Sequence, residues 1–144
     1  MKIKYLTFIF FIFVQFTMLY SQSKNDEIKF LELIQQYNNR DGASGYDISF
    51  KISKMLIIND TIFFKIMKDH KNVFLDWLNE LQYQTFTVYD YEDDVDKILL
   101  KTMLNKLKEL MINTTEKYLN SSEYQLMAKK LYVKLKNIKI RFIE

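Results

Sequence analysis

The 144-residue chain contains no cysteine and no proline, and its two glycines are Gly42 and Gly45. Without cysteine it can form no disulfide bond, and it lacks the residue that a lipoprotein needs at its cleavage site. Proline and glycine interrupt helices, so their scarcity beside abundant Leu, Ile, Lys, Glu and Met favours helices over a turn-rich β architecture. We therefore predict an all-α fold.

Histidine is almost absent as well, since His70 is the only one. A zinc site normally draws on several Cys or His side chains. Asp69 cannot form a dyad with His70, because adjacent residues of a helix point in different directions. We interpret His70 as a helix-end residue and predict no metal, no cofactor and no enzymatic activity. The enzymatic alternative is a small hydrolase with paired carboxylates, as in glycoside hydrolysis.

The carboxylates of residues 90–96 resemble a calcium-binding loop, but the pattern fails at two demanding positions. When Asp90 is counted as the first position, Val95 occupies the sixth, where glycine is required for the turn. Lys101 occupies the twelfth, where glutamate is required. The acids are better explained as negative charge at the positive end of a helix dipole.

The N-terminus has the three parts of a secretory signal peptide. Lys2 and Lys4 supply a basic start, residues 6–20 are mostly apolar, and small residues follow at Ser21 and Ser23. The apolar run is shorter than the ~20 residues needed to span a bilayer. This pattern predicts a signal that is cleaved after one of the two serines.

The predicted organisation is a signal peptide at 1–23 followed by one helical domain at 24–144, exported to the periplasm or secreted. Membrane contact is expected only through the signal before cleavage. Removing Lys2 and Lys4 lowers the formal net charge from +3 to +1. So small a charge favours no nucleic-acid partner.

Hydrophobic periodicity predicts about six helices joined mainly by short connections. They cover residues 26–37, 46–58, 61–69, 73–82, 94–119 and 121–137. Asn59 marks the start of the third helix, and Asn72 is expected to cap the fourth. This order predicts stacked antiparallel hairpins, in a compact bundle or a short irregular solenoid. The alternative is an α+β fold with short strands at 46–53 and 138–142, because residues 46–53 also alternate between apolar and polar side chains.

The longest predicted helix, 94–119, is expected to lie at the centre of the domain. At about 100° per residue, its apolar positions cover roughly half of the circumference. These positions are Val95, Leu99, Met103, Leu107, Leu110, Met111 and Tyr118. A surface helix needs an apolar stripe of only about 100°, so this wide arc predicts contacts with at least two neighbouring elements.

An aromatic and acidic connector, residues 83–91, leads into that helix and is the first candidate binding surface. The candidate residues are Tyr83, Phe86, Tyr89, Asp90, Tyr91, Glu92 and Asp93. Aromatic side chains provide contact area at modest entropic cost, and the carboxylates would select a basic partner. The alternative is that the aromatic side chains cover the ends of the helices that they cross.

A basic stretch near the C-terminus is the second candidate surface. Its residues are Lys129, Lys130, Lys134, Lys136, Lys139 and Arg141. It could hold an anionic lipid or another polyanion. The alternative is an ordinary solvated helix face, because the lysines spread around the predicted helix.

Together these features predict a non-catalytic protein-interaction module in the cell envelope or outside the cell, whose partner is another protein of that compartment. Glycan binding and binding to an anionic surface are the alternatives. Its oligomeric state does not follow from the sequence.

Overall fold

The computed structural model describes residues 23–42, 44–89 and 94–143. Within these ranges it contains six helices and two short strands, which confirms the predicted all-α fold. The elements are α1 at 23–38, α2 at Ser44–Ile58, α3 at Asp60–Asp69, α4 at Lys71–Gln84, β1 at Thr87–Val88, α5 at Asp94–Glu116, α6 at Gln125–Asn137 and β2 at Arg141–Phe142. Apart from Ser23, the predicted signal peptide lies outside the described residues.

Helix boundaries follow local capping chemistry. The side chain of Asn59 accepts a hydrogen bond from the Ile62 N–H at the start of α3, as its position before an apolar run predicted. His70 ends α3 and begins α4, since its N–H donates to the Ile66 carbonyl and its carbonyl accepts from the Phe74 N–H, both at 3.0 Å. The single histidine is thus a backbone junction between two helices.

Residues 46–53 are helical, which confirms the predicted helix and excludes the strand alternative for this segment. The polar positions of the alternating pattern are not all solvated, because Ser49 and Ser53 are fully buried. The Ser53 hydroxyl donates to the Ser49 carbonyl at 2.9 Å, and the Ser49 hydroxyl lies 2.8 Å from that of Thr85. These hydrogen bonds make serine compatible with the buried face of a helix.

The second strand of the α+β alternative, 138–142, is present only in part, because β2 covers Arg141 and Phe142. It pairs in parallel with β1, with Thr87 opposite Arg141 and Val88 opposite Phe142. The Arg141 N–H donates to the Phe86 carbonyl at 3.0 Å. Part of the connector is therefore hydrogen-bonded to the C-terminal segment.

The core is rich in aromatic rings from several helices. Phe63 lies 5.8 Å from Phe30 and 5.6 Å from Trp77, measured between ring centroids, which joins α1, α3 and α4. Phe64 stacks at 4.2 Å on Tyr118, beyond the end of α5. Leu131 and other residues of α6 complete the same cluster.

The second half of α5 packs against the core, but its first half does not. Leu104, Leu107 and Met111 are buried, whereas Val95 and Leu99 are exposed. As the wide arc predicted, α5 contacts two neighbouring elements, α2 and α6, but the predicted apolar arc is buried only in the second half of the helix. Periodicity shows which side of a helix is apolar, but it does not show where the neighbouring helices end.

Helix ends differ from the predictions by a few residues. α5 stops at Glu116, because residues 117–119 continue in tighter turns in which each N–H donates to the carbonyl three residues earlier. The regular α6 starts at Gln125, although the Ser121 hydroxyl already accepts from the Tyr124 N–H at 3.2 Å. Asn72 lies inside α4 and does not cap it.

Candidate functional site

Three half-exposed tyrosines form a surface that we call the tyrosine patch. Tyr46 lies in the first turns of α2, Tyr83 near the end of α4, and Tyr89 directly after β1. The rings of Tyr46 and Tyr89 meet edge to face, with centroids 5.2 Å apart. Tyr83 is half exposed near the end of α4 and contributes to the raised pKa of Tyr89.

The start of α2 is held close to the end of α4, which explains why Tyr46 reaches the connector. The Ser44 N–H donates to the Asp41 carboxylate at 2.8 Å, and the Asp41 N–H donates back to the Ser44 hydroxyl at 3.1 Å. A methyl group added at Gly45 would lie 2.9 Å from the Gln84 side-chain nitrogen. Gly45 thus leaves room for the Gln84 side chain, whose flexible end would have to move if a larger residue stood here.

Buried polar contacts hold the connector beneath the patch. The Ser49 and Thr85 hydroxyls form a hydrogen bond of 2.8 Å between α2 and the residue after α4. The Thr87 hydroxyl donates to the Gln82 carbonyl at 2.8 Å. Because the backbone on both sides of Phe86 is fixed in this way, Tyr83 and Tyr89 are presented by an ordered segment.

The Tyr89 hydroxyl is influenced by its aromatic neighbours and by one carboxylate. The pKa of Tyr89 is raised, first by partial burial, then by the hydroxyl of Tyr46, and less by Tyr83 and Glu80. At neutral pH the Tyr89 hydroxyl therefore keeps its proton and can donate a hydrogen bond. Aromatic faces, hydroxyl donors and a nearby carboxylate suit a partner with apolar and basic groups.

The structure changes the membership of the predicted connector surface. Phe86 is fully buried in the core cluster, so its assignment to a binding surface is wrong. Tyr83 and Tyr89 are exposed enough to contact a partner. The other predicted members, Asp90, Tyr91, Glu92 and Asp93, lie outside the described residues.

Tyr46 was missed by sequence reasoning, because it is far from the connector along the chain. Its place in the patch depends on how α2 and α4 pack, which no local pattern encodes. The one local signal was the adjacent Gly45, since an isolated glycine at a helix start can mark a close approach of two backbones.

The basic stretch is divided among different environments instead of forming one patch. Lys129, Lys130 and Lys134 line an open groove between α4 and α6 of about 490 Å³, together with Leu78 and Val133. The Lys134 ammonium also donates to the Asn79 carbonyl at 3.2 Å, which ties this side chain to α4.

The remaining basic residues lie elsewhere. The Lys136 ammonium lies 5.2 Å from the centre of the Tyr132 ring on α6. The Lys139 backbone both donates to and accepts from the Gln82 side chain, at 3.1 and 2.6 Å. Arg141 is exposed on β2. A polyanion would therefore meet at most the three lysines of the groove at one site.

Three further features of the described residues are the surroundings of His70, the placement of possible metal ligands and the length of the apolar helices. His70 lies in an open depression of about 630 Å³ beside Lys68 and Asp69. Within residues 23–42, 44–89 and 94–143, no group of three or more His, Asp or Glu side chains is placed to hold a metal ion. None of the helices described there is both long enough and apolar enough to cross a membrane. Comparisons with protein-family models, curated proteins and solved structures found no match.

Proposed function

We propose that this protein is an exported, non-catalytic module that binds another protein through the tyrosine patch. The observation that carries the proposal is the edge-to-face contact between the half-exposed rings of Tyr46 and Tyr89, which come from separate elements. Tyrosine is enriched at protein interfaces, because its ring buries apolar area while its hydroxyl still forms a hydrogen bond.

The scaffold beneath the patch favours binding, because it limits the entropy that association would cost. Tyr46 and Tyr83 belong to helices, and Tyr89 follows a strand that is hydrogen-bonded to β2. Side chains that are already ordered before association lose less freedom on binding. Glu80 next to the patch would favour a partner with basic groups.

The test is affinity capture from the cell envelope and the culture medium with wild type and a Tyr46→Ala/Tyr89→Ala variant. We expect the variant to lose the captured protein, because it removes the edge-to-face pair and most of the contact area. Tyr132→Ala is the matched control, since Tyr132 lies on α6 outside the patch, and it should capture the same protein as wild type. Circular dichroism and urea unfolding would establish that both variants are folded.

Three results would contradict the proposal. The first is unchanged capture by a folded Tyr46→Ala/Tyr89→Ala variant. The second is capture of glycan or anionic lipid instead of protein; lipid held by the lysine groove would dissociate steeply with ionic strength, whereas stacked sugar would not. The third is turnover of a cell-wall glycan that depends on one carboxylate, which would favour the hydrolase alternative.

Export is tested separately by measuring the intact mass of the protein recovered from its native compartment. We expect a chain that begins after Ser21 or Ser23, because small residues precede both bonds. Recovery of the chain with residues 1–23 still attached would contradict this part of the proposal.

A further inference from the structure

The first half of α5 exposes an apolar face that has no counterpart elsewhere among the described helices. Val95, Ile98, Leu99 and Met103 are 74%, 67%, 58% and 54% exposed. We call these four residues the α5 face. Isolated surface hydrophobics are common, but a contiguous set of this kind marks an interaction site in a soluble protein.

The α5 face continues the apolar side of the helix beyond the core. At about 100° per residue, Val95, Leu99 and Met103 lie within roughly 80° of one another around the helix axis. The same row continues with Leu107, about 40° further round the axis, and Leu107 is buried. The α5 face is therefore the part of this apolar side that the neighbouring described helices leave uncovered.

Charge along the same helix indicates what covers the face. Asp94 and Asp96 lie in the first turn, before the apolar residues, and Lys106 lies beyond them. Lys106 forms an ion pair with Glu109 at 3.0 Å, but both side chains are mostly exposed, and a pair of that kind contributes little stability and exchanges easily. The face is thus acidic at one end and has an available cation at the other.

We propose that the α5 face binds a second copy of this chain, with the two α5 helices antiparallel and crossing at Leu99. A two-fold axis at this position places Leu99 against Leu99 and Val95 of each copy against Met103 of the other. Such an interface is self-complementary, as a two-fold interface requires. A parallel arrangement would instead bring the acidic first turns together.

The antiparallel arrangement also matches the charges. With a rise of about 1.5 Å per residue, Lys106 lies roughly 10 Å from the crossing point and Asp94 roughly 7 Å from it. In the antiparallel pair these residues lie on the same side of the crossing, so a long lysine side chain can reach the acidic first turn of the other copy. The interface does not use the tyrosine patch, so its test is independent of the proposed function.

Because the chain contains no cysteine, an introduced thiol is the only one that can form a disulfide crosslink. We expect Leu99→Cys to form a disulfide-linked dimer on mild oxidation. We also expect Val95→Cys mixed with Met103→Cys to give the mixed dimer in preference to either homodimer. Ile58→Cys, equally exposed at the end of α2, should give little crosslinked product.

Sedimentation equilibrium of the uncrosslinked protein completes the test. Leu99→Lys places two ammonium groups at the crossing point and should weaken dimerisation by at least about tenfold. Ile58→Lys, a matched change at a 73% exposed position, should dimerise like wild type, as should the Tyr46→Ala/Tyr89→Ala variant. A monomeric wild type, an undiminished Leu99→Lys dimer, or preferential homodimers of Val95→Cys would overturn the proposal.

Discussion

Replacing Trp77 with alanine is expected to lower the free energy of unfolding by about 3–5 kcal/mol, the range for large aromatic residues in a packed core. Trp77 is fully buried on α4 and contacts the ring of Phe63 at 5.6 Å and that of Phe74 at 6.3 Å. The change removes apolar contacts within α4 and to α3, and it leaves a cavity that the surrounding rings can fill only in part. The loss would approach the whole stability of an ordinary small domain.

Urea unfolding followed by far-ultraviolet circular dichroism is the appropriate measurement, because Trp77 is the only tryptophan and its removal abolishes that fluorescence signal. Leu75→Ala is the control on the same helix, since Leu75 is 40% exposed. It should cost less than about 1 kcal/mol, as surface substitutions do. Equal effects of the two substitutions would mean that α4 does not turn its Trp77 side towards the core.

Replacing Phe86 with alanine is also expected to cost about 3–5 kcal/mol, although Phe86 lies in the connector that the sequence marked as a binding surface. Its side chain is fully buried, and its carbonyl accepts the β2 hydrogen bond from Arg141. Loss of the ring would loosen the connector from the core. Tyr89 would then lose the support that orients it.

Tyr83→Ala provides the comparison, because Tyr83 belongs to the same connector but is half exposed. It should affect partner capture more than stability, whereas Phe86→Ala should lower the urea midpoint first. Both quantities can be measured on the same preparations, by urea unfolding and by affinity capture. A different outcome would contradict this assignment. If the Phe86→Ala protein had wild-type stability but failed to capture the partner, Phe86 would belong to the binding surface.

Secondary structure was largely predictable because its causes are local. The scarcity of helix-breaking residues and the spacing of apolar side chains predicted helices throughout the described regions, and Asn59 marked the start of α3 correctly. The strand alternative for 46–53 arose from the polar residues Ser49 and Ser53. A polar residue in an alternating pattern suggests a solvated strand face, but a buried serine can satisfy its hydroxyl with a backbone carbonyl of the preceding turn.

The candidate site was predictable only in part. Tyr83 and Tyr89 were found from composition, because aromatic side chains concentrated in a connector indicate a possible surface. The same argument placed Phe86 beside them, since composition cannot distinguish an aromatic residue that covers the core from one that faces solvent. Tyr46 could not be found in this way, because its proximity to Tyr89 depends on the packing of α2 against α4.

The sequence by itself determined that this chain is helical, that it has no disulfide bond, and where most of its helices begin and end. These properties depend on residue type and on neighbours within a few positions. The tertiary structure decided which apolar residues are buried, as the contrast between Leu99 and Met111 on a single helix shows. It also brought Tyr46 to Tyr89 and paired β1 with β2, because contacts between distant segments depend on how the helices pack together and not on any local pattern.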